Sequence, residues 1–74
     1  MHCYQTLAAT ILVSRLIDRL EGSERFLHPG AVADWMETHG LEIEAVLAAD
    51  RETLQAQVAA LLDRDLRRQI RLAA

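Results

Sequence analysis

From Asp50 to the end of the chain, the apolar positions Leu54, Val58, Leu62, Leu66 and Ile70 recur every fourth residue. That spacing predicts one long helix. At about 100° per residue, each four-residue step overshoots a full turn by about 40°, so the stripe winds around the helix rather than staying on one face. The proximal residues, Leu54, Val58 and Leu61, are expected to face the domain's own core. The distal residues, Leu62, Leu66 and Ile70, with Leu72 beyond them, are expected to face a second neighbour. Asp65 falls in the middle of the Leu54/Leu61/Leu72 side. A carboxylate buried there without a partner would be costly, so that side is expected to open to solvent or to meet an arginine near residue 65.

A first helix is predicted from Cys3 to Glu21, ended by Gly22. Ala9, Leu12, Val13, Leu16, Ile17 and Leu20 fall within an arc of roughly 140°, an ordinary core face. Tyr4, Leu7 and Ile11 form a second stripe nearly opposite, which Ser14 and Asp18 continue as polar. The N-terminal half of this helix is therefore apolar on both sides, and such a helix calls for cover on both sides. Tyr4, Leu7 and Ile11 are the predicted dimer interface.

Between the long helices the pattern is shorter. Phe26 and Leu27 are expected to plug the end of the core. Pro29 suits the first turn of a helix running to His39, where Val32, Trp35 and Met36 are buried and Gly40 ends the element. A third helix, Glu42 to Ala49, presents Ile43, Val46 and Leu47. Asp50 can cap the final helix, with Glu52 well placed against the dipole. Nothing between Ala45 and Glu52 breaks a helix, so continuity of the third and fourth helices is also compatible with the pattern.

Composition agrees with a folded chain: 51% of the 74 residues are hydrophobic, with one proline and three glycines. β-branched residues form no alternating run, so no strand is predicted. One domain spanning 1–74 is expected. A chain of this size buries only about 60% of its unfolded surface, which makes its core marginal without help. With a single cysteine, Cys3, no internal disulfide supplies that help; oligomerisation or docking would.

The net charge of −3 is unevenly spread. Six acids between Asp34 and Glu52 face one base, Arg51, whereas Arg64, Arg67, Arg68 and Arg71 near the end are offset by Asp65 alone. The acidic middle and the basic end can attract each other between chains. Pairs at the surface contribute only about 0–1 kcal/mol each, so they orient more than they bind. The four arginines lie within an arc of roughly 100° away from Leu62, Leu66 and Ile70, a basic polar face on an amphipathic helix.

Residues 31–49 have the outline of a helix-turn-helix. A DNA reader needs donors on its second helix, and this one carries Glu42 and Glu44 with no Arg, Asn, Gln or Ser. Nucleic-acid binding through this element is therefore disfavoured. Cys3 at a helix start lacks an evident base and oxyanion site, since His2 is terminal and His28 and His39 are distant in sequence. The same residues lack the spacing of a structural zinc site. Trp35 is read as core, and His39 as a cation at a helix C-terminus. The apolar stretch Leu7–Val13 is too short to span a bilayer and lacks the flanks of a signal peptide, so a cytoplasmic location is expected.

The sequence thus predicts an all-α fold of three or four helices, with long N- and C-terminal helices antiparallel and one or two short helices crossing them. The expected state is a homodimer, completed by the N-terminal half of the first helix and the distal part of the last. No enzyme activity, cofactor, metal or membrane contact is called for. The expected role is binding another protein, as a small adaptor, inhibitor or regulator of the kind phages and operons encode, with Leu62, Leu66, Ile70, Arg64, Arg67, Arg68 and Arg71 as the partner-binding residues. Two alternatives are a dimeric DNA-binding or antitoxin-type regulator that uses those arginines, and an assembly subunit of a larger complex.

Overall fold

A computed structural model describes residues 4–73. Over this range the chain is all-helical: α1 (Tyr4–Glu21), α2 (Pro29–Thr38), α3 (Ile43–Ala48) and α4 (Arg51–Ala73). His2 and Cys3, weighed above for catalysis and metal binding, lie outside the described residues.

The helix ends follow from local chemistry. Gly22 sits at φ +74°, and its amide donates to the Asp18 carbonyl at 2.8 Å. α2 closes in a Schellman motif. The Leu41 amide donates to the Met36 carbonyl at 2.8 Å and the Gly40 amide to the Glu37 carbonyl at 3.1 Å. Gly40 supplies the left-handed residue this turn requires, at φ +68°. The accompanying apolar contact is present too, because Leu41 and Met36 are both buried in the core.

α3 and α4 are separate helices. Ala49 is extended (φ −75°, ψ 145°), and Asp50 caps the next helix. The Asp50 carboxylate accepts from the Thr53 hydroxyl at 2.5 Å and from the Thr53 amide at 3.3 Å. The Thr53 hydroxyl first, then its amide, hold the Asp50 carboxyl below the ordinary value of 3.8. The cap outcompetes helix continuation because it satisfies the otherwise unpaired first-turn donors of α4.

The core is one cluster. α1 contributes Ala9, Val13, Leu16 and Ile17; α2 Val32, Trp35 and Met36; α3 Val46; α4 Leu54, Val58 and Leu61; and Leu41 closes it from the turn. Thr10 is buried among them, its hydroxyl donating to the Leu7 carbonyl at 2.9 Å. Three residues expected inside are outside. Leu27 is 79% exposed, so Phe26 alone plugs the connector, and Leu20 and Leu47 are exposed at the margins. Each lies at the edge of its helical face, or beyond a helix end, where a chain this small has nothing left to cover it.

Arg51, at the start of α4, shares a cleft with Ala8, Leu12, Arg15 and Arg19 of α1. Farther on, Leu62, Leu66 and Gln69 share one with Leu20 and Glu21. These neighbours do not show the antiparallel course expected of the long helices.

Candidate interaction surfaces

Asp65 settles where the intrachain core stops. Taking Leu54 as 0° on the helical wheel, Leu61 lies at about −20°, Val58 at about 40° and Asp65 at about 20°, on the core-facing line itself. Its side chain is only 18% exposed. Donors from two other segments meet it. The Trp35 indole N–H donates to Oδ2 at 2.9 Å, Arg25 Nη2 to the same oxygen at 3.4 Å, and His39 Nε2 faces Oδ1 at 3.0 Å.

The donors are themselves held. The Trp35 and His39 rings lie 4.6 Å apart, tilted by 53°, and Phe26 lies 6.3 Å from Trp35. The Arg25 guanidinium sits 5.4 Å from the Phe26 ring centre, pairs with Glu21 at 2.9 Å, and the Arg25 amide donates to Asp18 at 3.3 Å. The arginine expected to meet Asp65 is thus Arg25, in the connector between α1 and α2. Trp35 is core, as read, but its indole N–H also makes it a polar anchor. His39, read as a helix-end cation, is largely buried against Asp65, its side chain 11% exposed. The polar atoms of this cluster are committed to joining three chain segments. Its chemistry is that of a clasp, and it orients α4 for what lies beyond.

Beyond the clasp α4 is uncovered. Leu62 is partly buried, whereas Leu66, Ile70 and Leu72 are 55%, 61% and 78% exposed. Arg64, Arg67, Arg68 and Arg71 are exposed alongside them. Arg67 pairs with Asp63 at 3.1 Å; among the described residues the other three have no ion pair.

The second stripe of α1 is also uncovered: Tyr4 is 91% exposed, and Leu7 and Ile11 are exposed. Tyr4, Leu7 and Thr10 form one wall of a cleft of about 490 Å³ whose other wall is Pro29, Gly30 and Ala33 of α2. A neighbouring cleft of about 460 Å³ shares Thr10 and Ala33 and continues past Met36, Glu37, Leu41, Glu42 and Ile43. A Cβ at Gly30 would meet nothing within 4 Å, so the floor is open there.

The α2 wall of this groove was not identified from the sequence. Its signal was the spacing of Gly30, Ala33 and Glu37, small and polar residues on the face of α2 that turns away from Val32 and Met36.

The acidic middle is exposed at Asp34, Glu37, Glu42 and Glu44, and none of these carboxylates pairs with a cation among the described residues. α3 is only six residues long and turns Glu44 and Leu47 to solvent, so the helix-turn-helix outline presents carboxylate where a reader needs donors. Among the described residues no group of three or more His, Cys, Asp or Glu is placed to hold a metal ion. Among the described residues no helix is long and apolar enough to cross a membrane.

Comparison with family models, curated proteins and solved structures found no match to this chain.

Proposed function

We propose that this chain is a small helical protein–protein interaction module that works as a homodimer and acts by binding, as an adaptor, inhibitor or regulator, rather than by catalysis. The observation that carries the reading is uncovered apolar surface at both ends of the bundle: Tyr4, Leu7 and Ile11 on α1, and Leu66, Ile70 and Leu72 on α4. Its scale can be judged. A compact monomer of 8.3 kDa exposes about 4,600 Å² by the usual mass scaling, and this chain exposes 5591 Å². The excess of about 1,000 Å² is comparable to the roughly 800 Å² per partner of a standard interface. The radius of gyration of 12.4 Å likewise exceeds the value of about 11 Å for a compact chain of this length.

The test is Leu7→Asp combined with Ile11→Asp. Both side chains are exposed in the single chain, so the helices should persist while association fails. Light scattering should report a dimer for the parent and a monomer for the variant. An unchanged oligomer would remove α1 from the interface, and a parent monomeric at about 100 μM would end the homodimer reading.

A further inference from the structure

The two uncovered surfaces are complementary to each other. The groove between α1, α2 and α3 is apolar along Tyr4, Leu7, Gly30, Ala33 and Ile43, and its far cleft is lined by two carboxylates, Glu37 and Glu42, that have no ion pair among the described residues. The distal ridge of α4 is apolar along Leu66 and Ile70, with Leu62 at its base partly buried against its own core. Arg67 and Arg71 flank it on the Ile70 side, within about 60–100° on the wheel. Apolar residues at i, i+4 and i+8 with flanking charge are what a helix-in-groove contact requires.

We propose that the occupant of the groove is the distal half of α4 from a second copy of this chain. Each copy lends Leu66 and Ile70, with the exposed edge of Leu62 at their base, to the other's groove, and Arg67 and Arg71 set the register against Glu37 and Glu42. The proposal rests on the homodimer reading above and adds which surface meets which.

Three observations favour a second copy over an unrelated helix. One chain carries both the acidic-ended groove and the basic-flanked ridge. The excess accessible surface is about one partner's share of a standard interface. The exposed part of the ridge, Leu66 and Ile70, lies on α4 beyond the Asp65 clasp, whereas the groove is built from α1, α2 and α3, so an exchange between two copies is reciprocal under a twofold axis. Gly30 and Ala33 permit the close approach of a helix, since neither projects beyond a methyl group.

Reversing charge on one surface at a time tests the pairing. Glu37→Arg with Glu42→Arg leaves the groove and ridge both basic; Arg67→Glu with Arg71→Glu leaves both acidic. All four side chains are exposed, so each variant should retain the helical circular-dichroism spectrum of the parent. Each alone should self-associate at least about tenfold more weakly, because like charges then face each other at both contacts. Mixed one to one they should form a heterodimer, both of whose contacts join opposite charges. Sedimentation of the mixture, with one variant fluorescently labelled, reads this directly.

Two variants that stay dimeric alone, or two folded monomers that fail to combine, would overturn the groove-and-ridge assignment while a dimeric parent leaves the homodimer reading standing. A monomeric parent would overturn both. Gly30→Trp checks the groove without touching charge. The indole would occupy the open floor, so the variant should be a folded monomer, and a retained dimer would place the ridge elsewhere.

Discussion

Replacing Asp65 by alanine should be among the most damaging single changes available outside the apolar core. The carboxylate accepts the Trp35 indole N–H at 2.9 Å, with Arg25 at 3.4 Å and His39 at 3.0 Å. Alanine leaves the indole N–H, on a side chain only 8% exposed, with its acceptor gone. Hydrogen bonds to charged groups contribute about 1.5–3 kcal/mol, and removing one partner of a buried donor exposes its desolvation cost. The Arg25 and His39 contacts, at partly exposed side chains, add about 0–1 kcal/mol each. A loss of about 1.5–5 kcal/mol follows. A domain of this length has a total stability of about 4–11 kcal/mol, so the change is a large fraction of it. The thermal midpoint should fall by about 6 °C or more at fixed protein concentration.

Urea unfolding followed by far-ultraviolet circular dichroism measures the loss. A cycle with Trp35→Phe isolates the indole bond: the two changes should couple by about 1 kcal/mol or more, whereas residues that do not interact add within about 0.5 kcal/mol. Asp65→Asn, which keeps an acceptor but not the charge, should recover part of the loss. A cost below about 0.5 kcal/mol for Asp65→Ala, or strict additivity with Trp35→Phe, would refute the clasp.

The two halves of α4 should respond differently to truncation. Leu54→Ala, at a fully buried position, should cost about 2–5 kcal/mol. Ile70→Ala should leave stability at low protein concentration within about 0.5 kcal/mol and weaken association instead; equal destabilisation by the two would place the ridge in the intrachain core. The Asp50 cap gives a pH signature. Because the folded chain holds this carboxyl below its unfolded value of 3.8, its contribution is present above that value and is lost as pH falls through the lower, folded one. Asp50→Asn, which can still accept from Thr53, should therefore flatten the acid limb of the stability profile below about pH 4. An unchanged acid limb in thermal melts would show that the cap carries no charge-dependent contribution.

Much of this architecture was legible in the sequence because periodicity and helix punctuation agree. Gly22, Gly40 and Pro29 mark ends that the backbone confirms, and the core positions of α2 and the proximal residues of α4 follow from spacing alone. Separation of α3 from α4 was not decided by spacing. It depends on the extended Ala49 and on two bonds from Thr53 to Asp50, which helix propensity does not encode. Asp65 was legible as an anomaly, a charge on an apolar face. Its partners were not, since Arg25, Trp35 and His39 are brought to it by the connector and by the end of α2. The groove was legible by half: its α1 wall, Tyr4 and Leu7, reads as a second apolar stripe, whereas its α2 wall looks like an ordinary small-residue face until α1 and α2 are placed side by side.

The winding stripe and the clasp act together. At about 40° per four-residue step, Leu66 and Ile70 stand about 120° and 160° from Leu54, so the stripe leaves the intrachain interface by its own geometry. Drift alone would only fade the contact and let the distal helix pivot. Asp65 prevents that by occupying the core-facing line at the turn where the stripe departs, fixed by donors from two other segments. An apolar residue at 65 would extend the intrachain core by one layer. It could also draw the connector under the helix and tilt the distal ridge, which makes a polar residue there the more exacting choice for orientation. Orientation matters most for the half of α4 that contributes least to its own chain: an exposed ridge can meet a groove in register only if its base is held at a defined angle. The clasp therefore links the fold to the binding role proposed for the ridge, and loosening it should weaken association even in variants whose helical content is intact.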